Sequence, residues 1–244
     1  MANHGTHREG LESIQTQLEL KLPIYHVTWV REPIERALSH FYHVDVSRHH
    51  MSSGPQAVIA MFFFLSGSYE LNYIRPNYST VDPQVIFEDY DFVGITERMD
   101  ESLVVLKHIL NLPSLCDILY VSAKQSSGPP HVDPQGAVLA PHVPLSEQPE
   151  SVQHFVASTS FQKKMSPDVN MYAAANAALD KRISEIDVNV FSQELSLFQE
   201  VLGTADTECK GPASLTGSNS ECYWNDNGCA YECLDQLCAR FPDL

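Results

Sequence analysis

The stretch Ile24-Tyr25-His26-Val27-Thr28-Trp29-Val30, followed without a gap by Arg31-Glu32-Pro33-Ile34-Glu35-Arg36-Ala37-Leu38-Ser39-His40-Phe41-Tyr42, decides how this chain is read. Its first seven residues are rich in β-branched and aromatic side chains, which fits a mostly buried strand. Arg31-Glu32-Pro33 breaks that strand. Pro33 suits the first turn of a helix, and Ile34, Leu38, Phe41 and Tyr42 then recur at helical spacing. Strand, tight loop and helix in this order build parallel sheets, so the expected fold class is α/β, with a central parallel sheet and flanking helices.

The same junction carries chemistry. A guanidinium at the strand end (Arg31) and a hydroxyl two helical turns on (Ser39) can converge on one phosphate. Arginine offers forked donors matched to phosphate oxygens, serine adds a hydroxyl donor, and the amides of the loop and helix start favour an anion.

Outward from this unit, Gln56 to Leu65 reads as a buried helix, with Phe62, Phe63 and Phe64 expected in the core. Tyr69 to Gln84 reads as irregular structure. Phe92 to Ile95 is a short apolar strand, after which Thr96 is placed to cap a helix keeping Met99, Leu103, Leu106 and Leu110 on one face. Ile118 to Ser122 reads as a further strand. Lys124 to Pro149, with six prolines and little periodicity, reads as a long loop or flap. Ser166-Pro167 has the form of a helix start ahead of Met171 to Ile186, and Phe191 to Leu202 continues helical until Gly203. The expected division is an α/β domain over 1–203 and a cysteine-rich extension over 204–244.

Length and charge bound the function. A chain of 244 residues, 43% hydrophobic, buries a large core without staples. With 15 Lys+Arg against 31 Asp+Glu, its net charge of −16 repels nucleic acid and anionic membranes. The longest apolar run, Ala57 to Leu65, falls short of the ~20 residues that a membrane-crossing helix needs. Acid is concentrated beyond Ser184, whereas histidines gather in the first fifty residues.

Five of the six cysteines, Cys209, Cys222, Cys229, Cys233 and Cys238, fall in the Gly/Ser/Asn-rich tail. Zinc sites prefer paired short spacings with a nearby histidine, and no histidine lies beyond His154, so disulfides are favoured and no metal is expected. Disulfides point to an oxidising lumen. Five is odd, leaving one cysteine to pair with Cys116, to pair outside this chain, or to stay free. Asn77-Tyr78-Ser79 is a glycosylation sequon that agrees with a secretory route.

REPIERALSHFYH resembles the 3′-phosphate-binding motif of the carbohydrate sulfotransferases, with Glu32 where that family has Asp. YDFVGITERMDESLVVLKHIL and SPDVNMYAAANAALDKRI are similar to two further segments of the family, and the likeness covers most of residues 1–200. Within the superfamily it is nearest to the Golgi uronyl and heparan sulfate 2-O-sulfotransferases, where a His-Gly-His segment before a Pro-Ile-Tyr strand supplies the catalytic base. Here Asn3-His4-Gly5-Thr6-His7-Arg8 precedes Pro23-Ile24-Tyr25, so the resemblance implies His7 as base, with His4 as the rival.

It further implies a nucleotide-kinase-like sulfotransferase architecture, 3′-phosphoadenylyl sulfate as donor, no metal, a glycan or proteoglycan acceptor, and the Golgi lumen. Arg31 and Ser39 would hold the donor's 3′-phosphate. Two departures stand out. No G-x-x-x-x-G-K-[ST] loop or relative of it occurs in the chain, and the resemblance implies as the simplest account that the sequence has lost, or stands without, an amino-terminal portion carrying the family's first strand, donor loop and membrane anchor. The flap from Lys124 to Glu150 contains Lys124 as its only Lys or Arg, which implies an acceptor less anionic than heparan sulfate, with Lys163 and Lys164 the alternative cations. The rival reading is a sulfotransferase-like remnant that binds carbohydrate or a partner without catalysis.

Overall fold

Alternating β-branched and aromatic residues draw Val27–Val30 (β1) into an extended strand, and it pairs in parallel with Phe92–Ile95 (β2). The structure, a computed structural model, describes residues 25–65, 67, 86–121, 131–132, 138–209 and 230–241. His4, His7, the Asn77 sequon, Cys222 and Cys229 lie outside these residues. Register runs Val27 to Phe92, Thr28 to Val93, Trp29 to Gly94 and Val30 to Ile95. All four residues of β2 are buried, as a strand covered on both faces must be.

Between the strands come helices Pro33–His40 (α1), Pro55–Phe64 (α2) and the short Ile86–Asp89 (α3). Pro33 occupies the first turn of α1, where its missing N–H costs nothing, and the Glu32 carboxylate accepts the Glu35 amide at 2.7 Å. The chain then continues as a π-helical stretch over Phe41–Val46, which widens the helix without breaking it.

After β2 a tight turn, Thr96–Arg98, leads into Met99–Leu110 (α4), which ends on Asn111 in the left-handed conformation. Thr96 does not cap this helix. Its hydroxyl donates to the Val30 carbonyl at 3.1 Å and ties together the ends of the two strands. Residues His131–Val132 (β3) and Val138–Leu139 (β4) form a two-rung antiparallel pair within the expected flap. Then follow Glu150–Ala157 (α5), Thr159–Ser184 (α6), Val188–Glu208 (α7) and Tyr231–Cys238 (α8). Among the described residues the architecture is mostly helical, around a small parallel sheet rather than a broad one.

Several expectations change. Ser166-Pro167 does not start a helix: α6 runs through it, and the Ser166 hydroxyl donates at 2.9 Å to the Lys163 carbonyl that Pro167 cannot serve. Gly203 does not stop α7, which continues to Glu208. Leu115–Ile118 is a turn of 3-10 helix and the following residues to Val121 join no sheet, so the expected third strand is absent there. Of the three phenylalanines only Phe62 is in the core, while Phe63 and Phe64 are 65% and 83% exposed. Consecutive helical residues are rotated by about 100° each, so one apolar face cannot hold all three.

Two cores result. Val30, Phe92, Ile95, Val104, Met171 and Phe198 centre the first, where the sheet meets α4, α6 and α7. Leu38, Phe41, Phe62, Val152, Phe161 and Met165 centre the second, where α1 and α2 meet α5 and the start of α6. Thus α6 spans both, with Pro167 between them. Two disulfides, Cys116–Cys238 and Cys209–Cys233, bind α8 to the body and to the end of α7, which answers the odd-cysteine question in favour of Cys116.

Candidate functional site

Parallel strands end their carboxyl termini on one edge, and both chains here turn there into helical segments: Arg31-Glu32 after β1 and Thr96-Glu97-Arg98 after β2. That edge is where open α/β sheets bind ligands. Arg31 sits at the mouth of α1, with its Nε 3.7 Å from Glu97 Oε1 and both side chains about one-third exposed. The same Glu97 oxygen accepts the Glu32 amide at 3.0 Å, and Oε2 accepts the Tyr172 hydroxyl from α6 at 3.1 Å.

Three carboxylates therefore crowd this edge. Burial pushes the Glu32 carboxyl above its usual range; the amides of Glu35 and Ile34 oppose that, and the charges of Glu35 and Glu97 add to it. Burial likewise raises the Tyr172 phenol, reinforced by Glu97. Arg98 does not face Arg31's partner set. Its guanidinium is taken by Glu101 at 2.6 Å, by Asp180 at 2.7 Å and by Asn176 at 3.4 Å.

Ser39 is half-buried in the last turn of α1, about 9 Å along the helix from Pro33. It shares its face with Glu35, one turn earlier. Across that face residues 140–148 are strapped down. Glu35 Oε2 pairs with His142 Nε2 at 2.8 Å, Glu35 Oε1 accepts the Leu145 amide at 2.9 Å, and Gln148 donates to the Tyr42 hydroxyl at 3.0 Å. A fourth bond runs from the Ala140 amide to Ser47 Oγ at 2.8 Å. His142 is 10% exposed and its Nδ1 has no partner among the described residues.

On another face of α1, a cavity of about 540 Å³ opens between α1 and α2, with Arg36 and His40 facing Met61, Phe64 and Leu65. Arg36 is fixed beside the fully buried Asp168 of α6, 4.0 Å away. Lys164 is not a free cation of the flap. It donates to the Phe63 carbonyl at 2.6 Å, at the carboxyl end of α2.

Arg31 and Ser39 are thus both on the strand–loop–helix unit, while His7 and His4 lie outside the described residues. Glu97, Tyr172, Glu35 and His142 were given no role from sequence. Glu97 and Tyr172 carried a signal, a strand-terminal Thr-Glu and a tyrosine in an alanine-rich helix. The partners of Glu35 and His142 lie more than a hundred residues apart, so no spacing announces them. Among the described residues no three His, Cys, Asp or Glu side chains gather as a metal site. No protein-family model matches this chain, and neither a curated protein nor a solved structure matches it.

Proposed function

We propose that this chain is a carbohydrate O-sulfotransferase, of the P-loop nucleotide-kinase-like architecture, that moves a sulfuryl group from 3′-phosphoadenylyl sulfate to a hydroxyl of a glycan or proteoglycan chain. The observation that carries the reading is the junction of β1 and α1. An arginine at the carboxyl end of a parallel strand adjoins the start of a helix bearing Ser39, beside a second strand ending in Thr96-Glu97. A guanidinium and helix amides at such an edge suit a phosphate monoester.

In this reading Arg31 and Ser39 hold the donor's 3′-phosphate, and His7, or His4 in its place, takes the acceptor's proton. The acceptor oxygen forms its bond to sulfur as the bond from sulfur to the phosphate oxygen breaks in line. The products are the sulfated sugar and 3′-phosphoadenosine 5′-phosphate, and the released proton rests on the imidazole. Two disulfides support assignment to an oxidising compartment such as the Golgi lumen.

A second reading, a glycan-binding or interaction protein without transfer, is favoured by one observation: the 244 residues contain no donor-phosphosulfate loop. Calorimetric titration with 3′-phosphoadenosine 5′-phosphate tests the first. Arg31→Ala is expected to weaken binding about ten- to a hundredfold, the scale of one charge-assisted contact. Unchanged affinity in that variant would sink the assignment of the site. Binding by the wild type, without sulfate transfer from a radiolabelled donor to any glycan, would select the second reading.

A further inference from the structure

The geometry points to Glu97 as an internal anion that occupies the nucleotide's 3′-phosphate place and must be displaced from Arg31 before the ligand binds. This rests on the reading of Arg31 proposed above. Glu97 accepts hydrogen bonds from two donors, the Glu32 backbone amide at 3.0 Å and the Tyr172 hydroxyl at 3.1 Å, and forms an ion pair with the Arg31 guanidinium at 3.7 Å. A guanidinium, a loop amide and a hydroxyl are the donor set that a phosphate takes, and here one carboxylate takes it.

Two features make displacement, rather than joint occupancy, the outcome. The first is charge. Glu32 and Glu35 already stand close enough for their charges to act on each other, and Glu97 acts on Glu32 as well. A phosphate dianion brought to Arg31 while Glu97 stays there meets the repulsion of that carboxylate at close range, with Glu32 beside it. The second is access. Arg31 and Glu97 are about one-third exposed, so the ligand reaches the pair and Glu97 has solvent to swing into. Glu97 stands in a single 3-10 turn between β2 and α4, so its side chain can leave without disturbing either element.

Glu97 is therefore a specificity residue: it sets a threshold that a monoanion or a weakly basic ligand does not cross and a phosphate dianion does. Glu97→Gln isolates this role, because the amide oxygen still accepts the Glu32 N–H, the amide NH2 donates to the Tyr172 hydroxyl oxygen in place of the bond it received, and the competing charge is gone.

The test is titration of wild type, Glu97→Gln, Arg31→Ala and the Arg31→Ala/Glu97→Gln double variant with 3′-phosphoadenosine 5′-phosphate and, separately, with inorganic sulfate. Thermal unfolding of each variant verifies that it is folded. The expected result is a three- to tenfold tighter nucleotide complex for Glu97→Gln, a gain in sulfate binding, and no gain from Glu97→Gln when Arg31 is absent. Equal nucleotide affinity in wild type and Glu97→Gln, with Arg31→Ala weakened, leaves the 3′-phosphate site standing and overturns the displacement. Weaker binding by Glu97→Gln makes Glu97 a supporting residue and also overturns it. No binding by folded wild type or by Glu97→Gln overturns both the displacement and the nucleotide reading beneath it.

Discussion

Glu194 shows how much a single side chain of this acidic chain can carry. It sits on α7 and accepts from Lys107 Nζ at 2.9 Å and from His108 Nε2 at 2.6 Å, both on α4. Burial alone raises its carboxyl, but these two partners outweigh burial and hold it below the ordinary carboxylate value of 4.5. A carboxylate depressed in the fold contributes stability that is fully present above its unfolded value and is lost as pH falls through the folded one. Glu194→Gln is therefore expected to be less stable than wild type at pH 7, with the gap in urea midpoint closing below about pH 4.5. A gap that stays constant to pH 3 would show that the ion pair contributes nothing. The pairing was not legible in the sequence, where Lys107 and His108 each stand more than eighty residues from Glu194. The positions of Arg31 just after β1 and of Ser39 on α1 were legible because spacing along one strand and one helix suffices to place them.

At the scale of elements, β1 and β2 explain the glycine in Phe92-Val93-Gly94-Ile95. Trp29 stands opposite Gly94 in the parallel register, and its indole lies directly on the glycine, with Nε1 buried and without a partner among the described residues. A methyl group at 94 would overlap that ring. Gly94→Ala is expected to cost about 1–3 kcal/mol, as overpacking does, read as a fall in the denaturant midpoint. Gly94→Ala in a Trp29→Leu background should recover part of the loss, and no recovery would move the cause away from the indole. The sequence announces the strand–loop–helix unit because a β-branched run, a breaking Pro and a 3.6-residue period are local signals. It misplaces the bounds of α6 and α7, since Pro167 and Gly203 are local breakers overruled by packing. In α6 the helix continues because Met165 and Met171, on either side of Pro167, are each buried, one in each core.

For the whole molecule the decisive bonds are the longest. Cys116–Cys238 closes a separation of 122 residues, and Cys209–Cys233 one of 24. Together they hold α8 on α7, where Leu237 is buried against Val201 and Ala205. Closing a loop of either length stabilises the fold by about 3–5 kcal/mol through the entropy of the unfolded chain. Cys116→Ser/Cys238→Ser is thus expected to lower the melting temperature by roughly 10 °C, and reductant should then shift this variant less than wild type. An unchanged melting temperature would mean that α8 docks by packing alone. Composition and short-range pattern by themselves pointed to a folded chain, to a strand entering a helix at Arg31-Glu32-Pro33, to disulfides at Cys209, Cys233 and Cys238, and to no long apolar run, because each of these depends on residues near one another. Which cysteine joins Cys116, that Glu97 stands beside Arg31, that His142 is pinned on Glu35, and that the described parallel sheet has two strands were decided by tertiary structure. Each is a meeting of groups dozens of residues apart, made only once the two cores bring the elements together.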